Sequence, residues 1–588
     1  MKRSNGKAGF LVWTALAIPV VWLAVIVAQC CGGGVGLFNW LAAMNAAVQA
    51  PLALHITPYT LKTVTVALAA YGFAVAWNYA ERGNRRPGEE HGSAKWGNAR
   101  KINACFRTKK TDRYILITRH ISMSMNVRAL AQEHQTNHNV LVVGGSGSGK
   151  TRYFIKPNLM QADCSYICCD PKGETYRAIG CLLENEGYDV IILNLVDMTH
   201  SDCYNPFCYL HSDTDALKLV TNLISNTTPK KSSTNDPFWD KAETALLTAF
   251  ILYLMHNAPP EEQNFPTLMY MIENAAAREE DENYKSPVDL IFDDLERVEP
   301  ESIALKEYRV FKQASGKTAK SILVSTAVRL AAFNLPALAN ITSRDDLALG
   351  TLGDRKRVIF AVIPDNDTSF NYIVGMLYSQ AFQELYYAAD NRYGGRLPMP
   401  VRILMDEFAN VALPDDFERI LSTCRSREIS INIVVQNMAQ LKALFKDSWE
   451  NVTGNCDTLL FLGGNEQSTH EYISKFLGKE TIDTRTRGIT KGRSGSSNTN
   501  YQNTGRELLM PDEVRMLSNR RALLFIRGKR PVIDLKYDLK RHPNYKRISD
   551  AGKPPYERNF DPPHYEKLDL SYEVDLKNIE IIEELQDE

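Results

Sequence analysis

Between residues 8 and 61 the chain has no Asp, Glu, Lys or Arg. A soluble domain does not leave so long a stretch uncharged, so this part stands outside any ordinary water-exposed fold. An excess of one charge is also missing, with 68 Lys+Arg against 69 Asp+Glu and a net charge of -1. That excludes a basic coat for nucleic acid over the whole chain. Any such contact must come from a local stripe or from the central surface of an oligomer. The 11 cysteines lack metal-site spacing. Adjacent pairs occur at Cys30 and Cys31 and at Cys168 and Cys169, and nothing has the CxxC…CxxC pattern of a zinc or iron–sulfur site. Cys168 and Cys169 lie in an apolar run and read as small buried hydrophobes. A reducing compartment fits this usage, and a disulfide framework does not. At 588 residues the chain is too long for one core and predicts two or three folded units with appendages.

Two stretches, about 9–30 and about 58–79, are long and apolar enough to cross a ~30 Å hydrocarbon core as helices. Lys62 would lie at the outer end of the second, where its stem can snorkel. Lys2, Arg3 and Lys7 precede the first span, and Arg82, Arg85, Arg86, Lys95, Arg100 and Lys101 follow the second. Residues 32–60 carry neither Lys nor Arg. The positive-inside rule then predicts a multi-pass protein of the cytoplasmic (inner) membrane with both termini in the cytoplasm. A cleaved signal peptide is the rival reading of the first span, but the span exceeds a usual h-region and lacks a convincing A-x-A site. A third span at 35–54 would put the phosphate-loop motif Gly144–Thr151 (GGSGSGKT) outside the cell, where ATP is absent. Residues 35–54 are therefore read as an outer loop beside the interface.

Residues 139–144 (NVLVVG) form a short β-branched run that leads into Gly144, Gly145, Ser146, Gly147, Ser148, Gly149, Lys150 and Thr151, a full GxxxxGK[ST] match. The glycines let backbone N–H groups curl round phosphates at a helix N-terminus whose dipole favours anions. Lys150 is expected on the β- and γ-phosphates of ATP, and the Thr151 hydroxyl on Mg²⁺. Hydrolysis needs more: an acidic residue at the end of a neighbouring buried strand and a base for the attacking water. Residues 402–408 (RILMDEF) supply both, with Asp406 as the metal-side carboxylate and Glu407 as the base. The competing reading, a solvated Asp-Glu pair after a core strand, loses ground beside an intact P-loop. The run 431–435 ends in Gln436, placed to sense the γ-phosphate. Between these runs lie Arg425 and Arg427, either of which could serve across a subunit boundary to stabilise transition-state charge. Each could equally be an ordinary surface arginine.

Further short apolar runs at 165–169, 190–195, 358–362, 458–462, 522–526 and 532–535 read as strands separated by helical patterns. They predict a doubly wound α/β core. No strand is expected between 195 and 358. Instead, 216–224, 238–255, 267–275, 288–296 and 318–337 read as helices, an all-α domain inserted into the core. Residues 482–505, rich in Thr, Ser, Gly and Asn, read as a mobile loop. The acidic end, 569–588, reads as a solvated tail.

With these motifs in hand, the chain resembles the type IV secretion coupling proteins, the conjugative Vir/Tra-type membrane ATPases of the FtsK-like superfamily. The residues that carry the resemblance are Gly92-Ser93-Ala94-Lys95-Trp96-Gly97, Asp170-Pro171-Lys172-Gly173-Glu174, Tyr204-Asn205-Pro206-Phe207, Asp406-Glu407-Phe408, and Leu508-Leu509-x-Pro511-x-Glu513. They run in the family's order over about 1–540. The resemblance implies a RecA-like doubly wound P-loop motor core (90–212 and 340–545) with an inserted all-α domain (213–339). Two transmembrane helices (1–80) precede it; the acidic tail (546–588) that follows falls outside the resemblance. It further implies a homo-hexameric ring that receives a relaxase attached to single-stranded DNA and passes it to the secretion channel proteins. By position, Lys150, Thr151, Asp406 and Glu407 become catalytic, Gln436 the sensor, and Arg425 rather than Arg427 the inter-subunit arginine. Protein effectors as cargo are the alternative that the core does not separate. A static membrane scaffold would not need the intact Lys150, Thr151, Asp406 and Glu407, and an ABC exporter would need an LSGGQ-like run that is absent.

Overall fold

Runs of Val, Ile and Leu that are too short for helices set the frame. In the computed structural model nine of them hydrogen-bond into one sheet. They are β1 (Val140–Val143), β2 (Ser165–Cys169), β3 (Asp189–Asn194), β4 (Arg357–Val362), β5 (Val401–Met405), β6 (Ile429–Val435), β7 (Thr458–Phe461), β8 (Arg521–Ile526) and β9 (Val532–Leu535). The order is β9-β8-β7-β1-β6-β5-β2-β4-β3. From β7 to β3 every neighbouring pair is parallel. β8 is antiparallel to β7 and β9. The structure describes residues 5–31, 36–49, 53–80, 88–108, 113–228, 237–275, 284–314, 316–364, 369–414, 416–489 and 497–560.

Alternate residues of each strand feed two cores. On β1, Leu141 and Val143 join one and Val140 and Val142 the other. Coverage of both faces is why these strands read as unbroken apolar runs. The second core also takes Ile115 and Met123 from a short hairpin, Tyr114–Leu116 paired with Ser122–Ser124. That hairpin was not expected from the sequence.

Between β3 and β4 the described residues are helical, from Asp213–Thr227 to Pro336–Ser343. The run expected at 318–337 is broken: one helix ends at Arg329, and Pro336 opens the next, a position that tolerates its missing N–H. The helical block shares one continuous core with a face of the sheet, from Ile431 to Phe250 and Phe292. Arg329 ties three of its helices. It pairs with Glu243 and Asp240 and donates to Thr227 Oγ1 at 3.1 Å and Thr228 Oγ1 at 2.8 Å. Glu243 is 1% exposed. Arg329→Met leaves that carboxylate buried without a cation, so the block should lose about 3–5 kcal/mol. The check is thermal denaturation; an unchanged melting temperature would show that the network adds nothing net.

Among the described residues, those within 94–480 and 506–588 form one compact unit, and those within 1–93 and 481–505 the other. The second holds α1 (Asn5–Gln29), α2 (Leu37–Gln49) and α3 (Thr60–Ala80). Within α1 and α3, Val12–Gln29 and Thr60–Asn78 are long and apolar enough to cross a membrane. Tyr71 donates to Trp13 O at 2.6 Å between them. The residues expected as an outer loop beside the interface contain α2, whose 13 residues reach about 20 Å, short of a ~30 Å core. Lys2, Arg3, Arg82, Arg85 and Arg86 lie outside the described residues.

The expected mobile loop at 482–505 is a β-hairpin of Lys479–Ile489 and Ser497–Glu507. Ile482, Thr484 and Thr486 put a β-branched residue at every second position, which favours a strand over coil despite the polar composition. Residues 546–560, expected to begin the tail, pack on the core: Tyr556 N donates to Arg177 O at 2.8 Å, and Lys156 pairs with Asp550 at 3.1 Å. Residues 569–588 lie outside the described part.

Candidate nucleotide site

The carboxyl ends of β1, β5 and β6 bring the expected site residues together. Gly144 N donates to Val435 O at 3.0 Å, so Gln436 leaves the sheet beside the first residue of the loop. β5 does not adjoin β1 as expected; β6 lies between them. The strand that ends in Gln436 therefore separates the loop from the acidic strand. Gly147 and Gly149 take φ of 72° and 83°, a region that favours glycine. A Cβ on Gly149 would also lie 2.5 Å from the Tyr153 ring.

Thr151 Oγ1 donates to Asp406 Oδ2 at 2.5 Å, joining the loop to the acidic strand. Asp406 is buried. Burial raises its carboxyl above the usual carboxylate range, while the Thr151 hydroxyl and the Lys150 charge pull it back. Asp406 Oδ1 and Ser148 Oγ are buried without hydrogen-bond partners, and Lys150 is 9% exposed. An orphaned carboxylate oxygen, a hydroxyl and an ammonium round a glycine loop suit a phosphate chain with a divalent cation beside it. Glu407 has a left-handed φ of 55°, and its Oε2 accepts from Asn410 Nδ2 at 3.1 Å. Backbone strain at a non-glycine residue turns this carboxylate out of the strand direction.

Arg425 is not with the others. It lies on the short turn Cys424–Arg427 before β6, at the opposite edge of the sheet. β6 has seven residues, about 23 Å of strand, so Arg425 does not reach its own loop. Arg427 is held: its Nε and Nη2 donate to Asp390 at 2.9 and 2.6 Å, and it stacks 4.2 Å over the Tyr386 ring. Arg425 is exposed and has no ion-pair partner among the described residues.

Lys536 was missed by the sequence reading. Its Nζ donates to Ser148 O and Asn519 Oδ1, both at 2.9 Å, and burial lowers its ammonium to about 8. It clamps the outer side of the loop from the residue after β9. A single Lys after an apolar run gives no signal of this in sequence. Two of the local motifs prove structural. Asp170 accepts from Thr175 N and Tyr176 N at 2.8 and 2.9 Å, closing the start of the next helix. Tyr204 donates to Gln380 at 2.5 Å, while Asn205 Nδ2 reaches Gln263 O at 2.8 Å.

A parallel sheet with a P-loop after β1, an acidic strand two places away and a polar strand end between them defines a P-loop nucleotide-binding core of the RecA-like kind. The chain belongs to the type IV secretory system conjugative DNA transfer family, whose profile matches residues 89–541. Protein VirD4 of Rhizobium radiobacter is 23% identical over 405 residues, 67% of this chain and 55% of the relative. The conjugal transfer protein TraG of the same organism is 23% identical over 410 residues, 67% of this chain and 60% of its own. The chain thus spans little more than half the length of these curated relatives. Among solved structures, the bacterial conjugative coupling protein TrwBdeltaN70 superposes with a TM-score of 0.52 at 16% identity, covering 77% of this chain and 96% of that one. The plasmid coupling protein TrwB in complex with ADP and Mg²⁺ gives 0.51 at 14%, covering 79% and 93%.

Proposed function

We propose that this protein is a membrane-anchored ATPase of a conjugative type IV secretion system. It recruits a relaxase joined to single-stranded DNA and drives that cargo to the channel proteins, working as a homo-hexamer. The observation that carries the ATPase reading is the bond between Thr151 and Asp406, which joins the phosphate loop to the acidic strand end. Bound ATP with Mg²⁺ supplies the phosphoryl group that passes to water. Lys150 balances charge on the β- and γ-phosphates, and Thr151 and Asp406 hold the cation. Glu407 orients the attacking water and accepts its proton. Gln436 reports whether the γ-phosphate is present, and Arg425 completes the site of the next subunit. α1 and α3 span the cytoplasmic membrane with both termini in the cytoplasm, and α2 lies along the outer interface.

The direct test is Glu407→Gln. The amide keeps an oxygen for Asn410 and leaves the loop and Asp406 in place, so ATP affinity should stay within about twofold. Turnover should fall about 10²–10⁴-fold. Equal loss of affinity and turnover would mean that Glu407 holds structure rather than takes a proton.

A further inference from the structure

At the amino ends of β1, β5 and β6, on the edge away from the phosphate loop, lies a cavity of about 330 Å³. Its lining includes Arg128, Arg396 and Arg425 with one carboxylate, Glu428. Glu428 already pairs with Arg396 at 2.8 Å, and the Arg128 charge acts on the same carboxylate. Three guanidiniums facing one carboxylate leave two positive charges uncompensated in a half-enclosed space. The other polar residues do not offset them. Burial holds His138 down to about 4, so it is neutral near pH 7, and its Nε2 meets Ser124 O at 3.0 Å. Ser430 is 4% exposed, and its Oγ is buried with no partner. A buried orphan hydroxyl among arginines is a donor set for phosphate oxygens, which guanidiniums bind bidentately.

No phosphate of the subunit's own nucleotide reaches this edge, because the length of β6 intervenes. We propose that the cavity receives the terminal phosphates of the nucleotide bound to the neighbouring copy of this chain, and that Arg128 and Arg396 join Arg425 there. This rests on the reading of Arg425 as the inter-subunit arginine. Glu428 is the internal counter-charge, with a left-handed φ of 62° that turns it toward Arg396. When phosphate enters, Arg396 exchanges this carboxylate for a phosphate oxygen. The arginines neither gain nor lose a proton; they stabilise charge while water displaces the leaving phosphate oxygen.

The test uses the full chain in detergent or nanodiscs. Arg128→Ala should lower ATP turnover about 10²-fold while nucleotide affinity stays within about twofold, because the subunit's own loop is untouched. Arg128→Lys should recover part of the rate, and Arg396→Ala should behave like Arg128→Ala. Mixing Arg128→Ala with Lys150→Ala subunits should restore turnover at interfaces that pair an intact loop with an intact Arg128. Wild-type turnover in Arg128→Ala, or equal loss of affinity and rate, overturns the proposal. Weakened binding of single-stranded DNA at an unchanged ATPase rate also overturns it and makes the cavity a nucleic-acid site. The parallel mixture of Arg425→Ala with Lys150→Ala separates the two levels. If that mixture recovers activity and the Arg128 mixture does not, only the assignment of Arg128 falls. If neither recovers, the ring reading falls with it.

Discussion

Lys150→Ala should abolish ATP turnover and DNA transfer together, with a loss of roughly 10³-fold or more in rate. The ammonium sits inside the loop, where its charge acts on Asp406, and it is held there by a backbone that the substitution does not touch. Membrane insertion should be unaffected, since α1 and α3 end before residue 81. The measurement is a mating assay beside an ATPase assay on the same purified variant. Near-normal transfer by Lys150→Ala would remove the motor reading, whatever the ATPase assay shows.

The second large effect concerns Arg425. Arg425→Ala should reduce turnover about 10³–10⁵-fold, the range of arginines supplied across a boundary in other P-loop enzymes. Arg425 lies at the amino end of β6, on the edge opposite the loop, so it does not reach its own subunit's site. Arg427, pinned by Asp390 and Tyr386, cannot leave without breaking a bidentate pair, so Arg427→Ala should mainly lower stability. Mixed Lys150→Ala and Arg425→Ala subunits, each nearly dead alone, should regain part of the rate. The rescue comes from interfaces where the Arg425→Ala subunit has an intact loop and its neighbour an intact arginine. Turnover per subunit that does not depend on protein concentration would contradict this account.

Much of the fold was readable because a strand covered on both faces must be apolar throughout. Such runs at 165–169 and 532–535 match β2 and β9 to the residue. The loop motif was readable because its glycines encode their own backbone geometry, and Asp406 because it ends such a run. Elements stabilised by alternation or by distant partners were not readable. The hairpin at Tyr114–Leu116 alternates Ile115, Ile117, Ile121 and Met123 inward, a period of two over too few residues to stand out. The hairpin from Lys479 was hidden by polar composition. The grouping of Arg128, Arg396 and Arg425 depends on sheet order, which brings the amino ends of β1, β5 and β6 side by side. Nothing local in the chain announces that.

One strand links the two chemical ends of the subunit. β6 leads into Gln436 at its carboxyl end and begins at Ile429, just past the turn that holds Arg425, and it is buried along its whole length between β1 and β5. Close-packed interiors transmit displacement rather than absorb it. On the proposed roles, with Gln436 sensing the γ-phosphate and Arg425 serving a neighbour, a shift at one end of β6 would be felt in the site next door. Each subunit would then act as a lever with its fulcrum in the sheet, reading one phosphate and setting the rate at another. In a closed ring of such levers the firing of one site would bias the next in a single rotational sense, set by the direction in which β6 runs.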